Sequence, residues 1–134
     1  MSDTVVVGFV RTPEGDAAVD AAVEETRRRS GRLVVVHSEK GGDLDAETVL
    51  QNRDALEHLQ RRLKDDGLEV EVRDLARGKD PVDDLVDVAD REQAALIVIG
   101  LRRRSPVGKL LLGSNAQQIL LTADCPVLAV KAPR

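Results

Sequence analysis

The sequence predicts a doubly wound α/β domain spanning residues 1–134, with a five-stranded parallel sheet in the order 3-2-1-4-5 and helices on both faces. Three observations predict it. Five short apolar runs alternate with segments of helical periodicity, which implies right-handed crossovers and a covered parallel sheet. Three of those runs, VVVGFV, ALIVI and PVLAV, are nearly continuous in apolar residues, as strands buried on both faces are. Finally, 42% of the 134 residues are hydrophobic but only 1% are aromatic, so the core is built from Val, Leu, Ile and Ala.

The expected strands are Thr4 to Val10, Arg32 to His37, Leu68 to Leu75, Ala94 to Ile99 and Pro126 to Lys131. The third, LEVEVRDL, alternates with charge and is expected nearer an edge. The first helix has Thr12 as N-cap and Pro13 at N1. It turns Ala18, Ala21, Ala22 and Val23 to the sheet and stops near Gly31 after three arginines. The second runs from about Asp45 to Asp66 with a stripe of Ala46, Val49, Leu56, Leu59 and Leu63, ended by Gly67. Asp80-Pro81 opens the third, which buries Val82, Leu85, Val86 and Ala89. Ser114 opens the fourth, Gln117 completes a capping-box pattern, and Ala116, Ile119, Leu120 and Ala123 form its buried face. In such sheets a ligand binds at the carboxyl ends of the strands where strand order reverses, so the loops after Val10, His37 and Ile99 are expected to share one crevice.

The stretch from Gly100 to Ser114 carries the chemistry. A glycine closes an apolar strand and a Gly-Ser pair opens a helix thirteen residues later. Glycine permits close approach of backbone to a phosphate, and helix-start N–H groups favour an anion. Around it the chain resembles the universal stress protein family over essentially its whole length: the first strand, turn and helix, the Gly78 to Pro81 stretch after the third strand, and the closing GS-helix-CPVLAVK. In that family's nucleotide binders the fourth strand is followed by Gly, two residues, Gly, nine residues, then Gly and a small polar residue. Gly100, Gly113 and Ser114 match in register, and Asn115 follows them. The resemblance implies a site for ATP or another adenine nucleotide, with Mg²⁺, and a homodimer through the last strand, Pro126 to Lys131.

Two positions depart from the pattern. Arg103 stands where the middle glycine belongs, and Val10 stands where binders usually carry an aspartate for the nucleoside. Loss of a charged acceptor is worth roughly 1.5 to 3 kcal/mol, and two such losses weaken binding about a hundredfold or more. The expected site is therefore degenerate, with weak or altered affinity. Arg102, Arg103, Arg104 and Lys109 lie in a stretch free of Asp and Glu. Such arginines either hold phosphate through their forked guanidinium groups or form a solvated loop or subunit contact.

Other polar residues read as structural. His37 ends a central strand without an identifiable catalytic partner, and His58 flanks the second helix. Cys125 reads as a small buried hydrophobe, and the pairs Asp65-Asp66 and Asp83-Asp84 read as solvated faces. The net charge of −4 disfavours non-specific binding to nucleic acid or anionic membranes. One cysteine, no signal-type start and no apolar run of membrane-spanning length give the expectation of a cytoplasmic protein. The function expected is a regulatory module, dimeric and tuned by nucleotide, with a possible protein partner. The alternative is a nucleotide-independent interaction module using the dimer surface and the basic 102–104 loop. Slow ATP hydrolysis or nucleotidyl transfer ranks lower, because no catalytic constellation is visible.

Overall fold

A computed structural model describes residues 3–38, 45–75, 80–102 and 113–133. Its elements in chain order are β1 (Thr4–Gly8), α1 (Pro13–Arg28), β2 (Arg32–His37), α2 (Ala46–Asp65), β3 (Val70–Asp74), α3 (Pro81–Arg91), β4 (Leu96–Leu101), α4 (Ser114–Thr122) and β5 (Val127–Lys131). The five strands form one parallel sheet in the order β3-β2-β1-β4-β5. Strand order reverses at β1, between β2 and β4, as a doubly wound sheet requires.

Alternation of side chains along each strand divides the core in two. Val5, Val7, Leu33, Val35 and Val98 face one way and pack against Ala18, Val19 and Ala22 of α1 and Leu56, Leu59 and Leu63 of α2. Val6, Val34, Val36, Ile97 and Ile99 face the other way, against Val82, Leu85, Val86 and Ala89 of α3 and Ile119 of α4. β3 is an edge strand, as its charged alternation predicts.

The helix ends explain where the chain turns. Helices α1, α2 and α3 each finish with a residue in the left-handed region: Ser30 (φ 50°), Gly67 (φ 84°) and Gln93 (φ 50°). Each is followed by a hydrogen bond that closes the last turn, from the N–H groups of Gly31, Leu68 and Ala94 to the carbonyls of Thr26, Leu63 and Ala89. Gly67 is the terminator the sequence marks. At α1 the left-handed residue is Ser30, one position before the glycine expected to stop the helix.

Three expectations need correction. In α2, Ala46 is exposed and Val49 only half-buried, because the helix meets the core first at Asn52. Leu120 of α4 is 43% exposed, since the short α4 touches the sheet chiefly through Ile119. The capping box at Ser114 does not form: the N-cap is Gly113, so Ser114 already lies within the helix and its side chain is not at the capping position.

Candidate functional site

A crevice of about 200 Å³ opens at the carboxyl end of the sheet, lined by Gly8, Phe9 and Val10 after β1, Val36 and Ser38 from β2, Ile99 and Gly100 of β4, and residues of α3 and α4. The three loops expected to meet there do so. Its walls are apolar: Val36, Val82, Leu85, Ile99 and Ile119, with Pro81 and Ala116. Ser38 and Asn115 supply the polar side chains among the described lining residues. A wider groove of about 460 Å³ between α1 and α2 is bordered by Arg11, Asp16, His58 and Arg62. All four side chains lie at exposed positions, and the groove sits beside the point of strand reversal rather than on it.

The residues singled out from the sequence divide. Val10 (43% exposed), Gly100 and Asn115 line the crevice. Gly113 and Ser114 begin α4 directly before Asn115. Arg103, Arg104 and Lys109 lie outside the described residues. Arg102 is described, and its Nε sits 3.6 Å from the Glu14 carboxylate. Glu14 is held below the usual carboxylate range by the hydrogen bond to its own backbone N–H, against the opposing effect of burial, and further by Thr12 and Arg102.

Gly100 has a structural reason that the motif alone does not reveal. It lies within β4, opposite Val130 of β5, rather than beyond the strand end. A Cβ there would stand 2.4 Å from the Glu14 carbonyl oxygen, so α1 can approach β4 only over a glycine. Gly113 differs: no described atom lies within 4 Å of its would-be Cβ, and its φ of −64° is open to any residue.

Polar pairs behind the crevice went unseen in the sequence. The Ser38 hydroxyl donates to Asp84 Oδ2 at 2.5 Å. Asp84 is only 6% exposed, which corrects its reading as part of a solvated face. His37 is 1% exposed, with Nδ1 3.2 Å from Asp74 Oδ1 and its ring edge-on to Phe9 at 6.3 Å. The carboxylate partner stands directly across the β2–β3 ladder, a register that chain spacing does not disclose. Arg11, after β1, reaches Asn52 Oδ1 at 3.3 Å and Gln51 Oε1 at 3.4 Å. Burial raises the Cys125 thiol pKa, leaving it a poor nucleophile. Among the described residues, no group of three or more His, Cys, Asp or Glu is placed to hold a metal ion.

The model of the universal stress protein family matches residues 1–131. The chain belongs to that family. A universal stress protein from Mycolicibacterium smegmatis is 40% identical over 127 residues, covering 95% of this chain and 96% of its own. The solved universal stress protein from Archaeoglobus fulgidus superposes with a TM-score of 0.81 at 37% identity, over 98% of this chain and 99% of that one. A universal stress protein from the same organism in complex with dAMP superposes at 0.76 and 32% identity, covering 98% of both chains. No helix among the described residues of this universal stress protein is long and apolar enough to cross a membrane.

Proposed function

We propose that this universal stress protein is a regulatory binding module that holds an adenine nucleotide, ATP or a relative, in the crevice between β1, β2, β4 and α4, with weak or altered affinity. The observation that carries the reading is the crevice itself, apolar-walled and large enough for a base, at the reversal point of a sheet shared with a relative captured with dAMP. The base would pack among Val36, Leu85, Ile99 and Ile119. Phosphates would lie toward Gly113, Ser114 and Asn115, where the first-turn N–H groups of α4 favour negative charge. Mg²⁺, if it accompanies the phosphates, would be carried by them. Arg103 is the further residue we assign to the phosphates.

Two features weaken the site. Val10 presents an apolar surface where a carboxylate would accept ribose hydroxyl bonds, and Arg102 is engaged with Glu14. Those features favour the alternative, a nucleotide-independent interaction module acting through a homodimer surface and the basic loop from Arg102 to Arg104. The module is proposed as a binder and not an enzyme: His37, which pairs with Asp74, is buried against the Phe9 ring rather than presented to a ligand.

Calorimetric titration with ATP, with and without Mg²⁺, tests the reading. Saturable binding tighter than about 100 μM, roughly 5.5 kcal/mol, is expected. No heat up to millimolar ATP would transfer the function to the interaction reading.

A further inference from the structure

We propose that the groove between α1 and α2 is a second site, taking a small organic acid: a carboxylate gripped by Arg11 and Arg62, on an apolar body laid over Phe9 and Leu59. The inference stands apart from the nucleotide reading, because this groove lies on the α1–α2 face of the sheet and the crevice on the α3–α4 face.

The groove has the room and the floor for such a body. It encloses about 460 Å³ and runs from the turn after β1 to the second half of α2. Phe9 and Leu59 belong to the core cluster that packs on α1 and α2, and both line the groove. Ala55 contributes only a methyl to the lining, so the gap between the helices stays open. Ala55, His58, Leu59 and Arg62 recur at i, i+3, i+4 and i+7, which places apolar floor and polar rim on one face of α2.

The rim carries positive charge that the chain orients without neutralising. Arg11 Nη1 donates to Gln51 Oε1 at 3.4 Å and to Asn52 Oδ1 at 3.3 Å. Both acceptors are neutral amides, and Asn52 is a firm anchor at 5% exposed. A guanidinium has five N–H donors. With the two on Nη1 engaged, the Nε–Nη2 edge remains, and that fork can take a carboxylate through two parallel bonds. At the far end of α1 the arginines are matched: Arg27 with Asp66, Arg28 with Glu24, Arg29 with Glu25. Among the described residues no carboxylate comes within ion-pair distance of Arg11 or Arg62, although Asp16 of α1 lines the same groove. Two guanidinium groups against one carboxylate leave the rim positive, while Asp16 disfavours the second charge of a phosphate. Exposed ion pairs alone bind weakly, so the apolar floor must supply the rest, and a monoanion with an apolar body meets both demands.

Amide NMR of the full chain titrated with naphthoate tests this. Saturable shifts at residues 11–16 and 55–62 are expected, with a Kd below about 1 mM. Acetate, which lacks the apolar body, and naphthylmethanol, which lacks the charge, should each bind about tenfold more weakly or worse. Arg11→Gln should weaken naphthoate about tenfold or more, and Ala55→Leu, which keeps both arginines but narrows the gap, should do the same. Saturating ATP should leave the naphthoate shifts in place. Should Arg11→Gln fail to fold, as thermal melts would reveal, Arg62→Gln at an exposed position of α2 replaces it with the same expected loss. The inference is overturned by no saturable shift up to about 10 mM naphthoate, by equal binding of naphthoate and its alcohol, by undiminished binding in either folded variant, or by displacement with ATP. None of these results decides the nucleotide reading, which fails only when ATP itself does not bind.

Discussion

A Cβ added at Gly100 would lie 2.4 Å from the Glu14 carbonyl oxygen, whereas none of the described atoms crowds one at Gly113. The two motif glycines therefore separate stability from binding. Gly100→Ala forces α1 away from β4 and should cost about 3 kcal/mol, seen as an earlier urea midpoint. Gly113→Val should leave the midpoint within about 1 kcal/mol of wild type and still abolish ATP binding, because the added branches occupy the space proposed for phosphate. Unchanged ATP binding in Gly113→Val would put the ligand elsewhere. Charges on the sheet's other flank yield a pH prediction. Glu92 caps α3 and meets Arg32 at 3.0 Å, and it also contacts Arg73, which in turn meets Glu71 at 3.1 Å. Burial raises the Glu92 pKa, but the two guanidinium groups outweigh it and the net shift is downward. A carboxylate with a depressed folded pKa stabilises fully above its unfolded value, near 4.3, and loses that contribution as pH falls through the folded value. Glu92→Gln should thus lower stability by about 1 kcal/mol at pH 7 and converge with wild type below about pH 3 in thermal melts. The glycines and Ser114 of the proposed site are legible as a motif because their spacing is local. Ser38 with Asp84 and His37 with Asp74 are not, since each pair is 46 or 37 residues apart and joined only by strand register and helix docking.

Among the elements, those whose burial repeats along the whole segment were legible nearly to the residue. Thr12 caps α1 through the Gly15 N–H at 3.1 Å and Asp80 caps α3 through Val82 at 2.8 Å, both with proline at the following position. Errors fall where chemistry and packing diverge. Ser30 and Gln93 take left-handed conformations without the glycine that usually announces them, so the sequence marks the stop of α1 only as near Gly31. In α2 the apolar stripe expected from the sequence reaches back to Ala46, whereas burial begins at Asn52 and Leu50 is 54% exposed. That first part of α2 rests on its cap, the Asp45 carboxylate accepting from Thr48 N–H at 2.7 Å, and on Arg11 bonded to Gln51 and Asn52. Few buried contacts mean low local stability. Amide exchange followed by mass spectrometry should show residues 46–51 exchanging at least tenfold faster than 56–63 in the same helix. Equal protection would mean that α2 opens only as one unit with the core.

For the whole molecule the two edges of the sheet are unlike, and the difference bears on the proposed homodimer. β3 ends the sheet with Glu71, Arg73 and Asp74, charges of the kind that discourage strand addition. β5 ends it with Val127–Lys131, where Leu128 is 37% exposed on one face; on the other side α4 leaves Leu120 and Leu121 at 43% and 83%. An edge strand with open N–H and C=O groups flanked by leucines is a template for pairing, and a second copy satisfies it by a closed two-fold contact without risk of open-ended growth. The same side carries α4, whose first turn borders the crevice at Asn115, so pairing through β5 would connect the nucleotide site to the state of the dimer. Light scattering on a sizing column should give twice 14.6 kDa for the wild type. Leu128→Glu should shift it to monomer at micromolar concentration, because a carboxylate at a pleated contact must be desolvated without a partner. Leu121→Glu, at a position too exposed to matter for folding of one copy, should weaken the dimer if α4 shares the contact and leave it intact if only the strands pair. A wild-type mass of 14.6 kDa at all concentrations tested would remove the dimer and, with it, the route by which nucleotide could alter what the module presents to a partner.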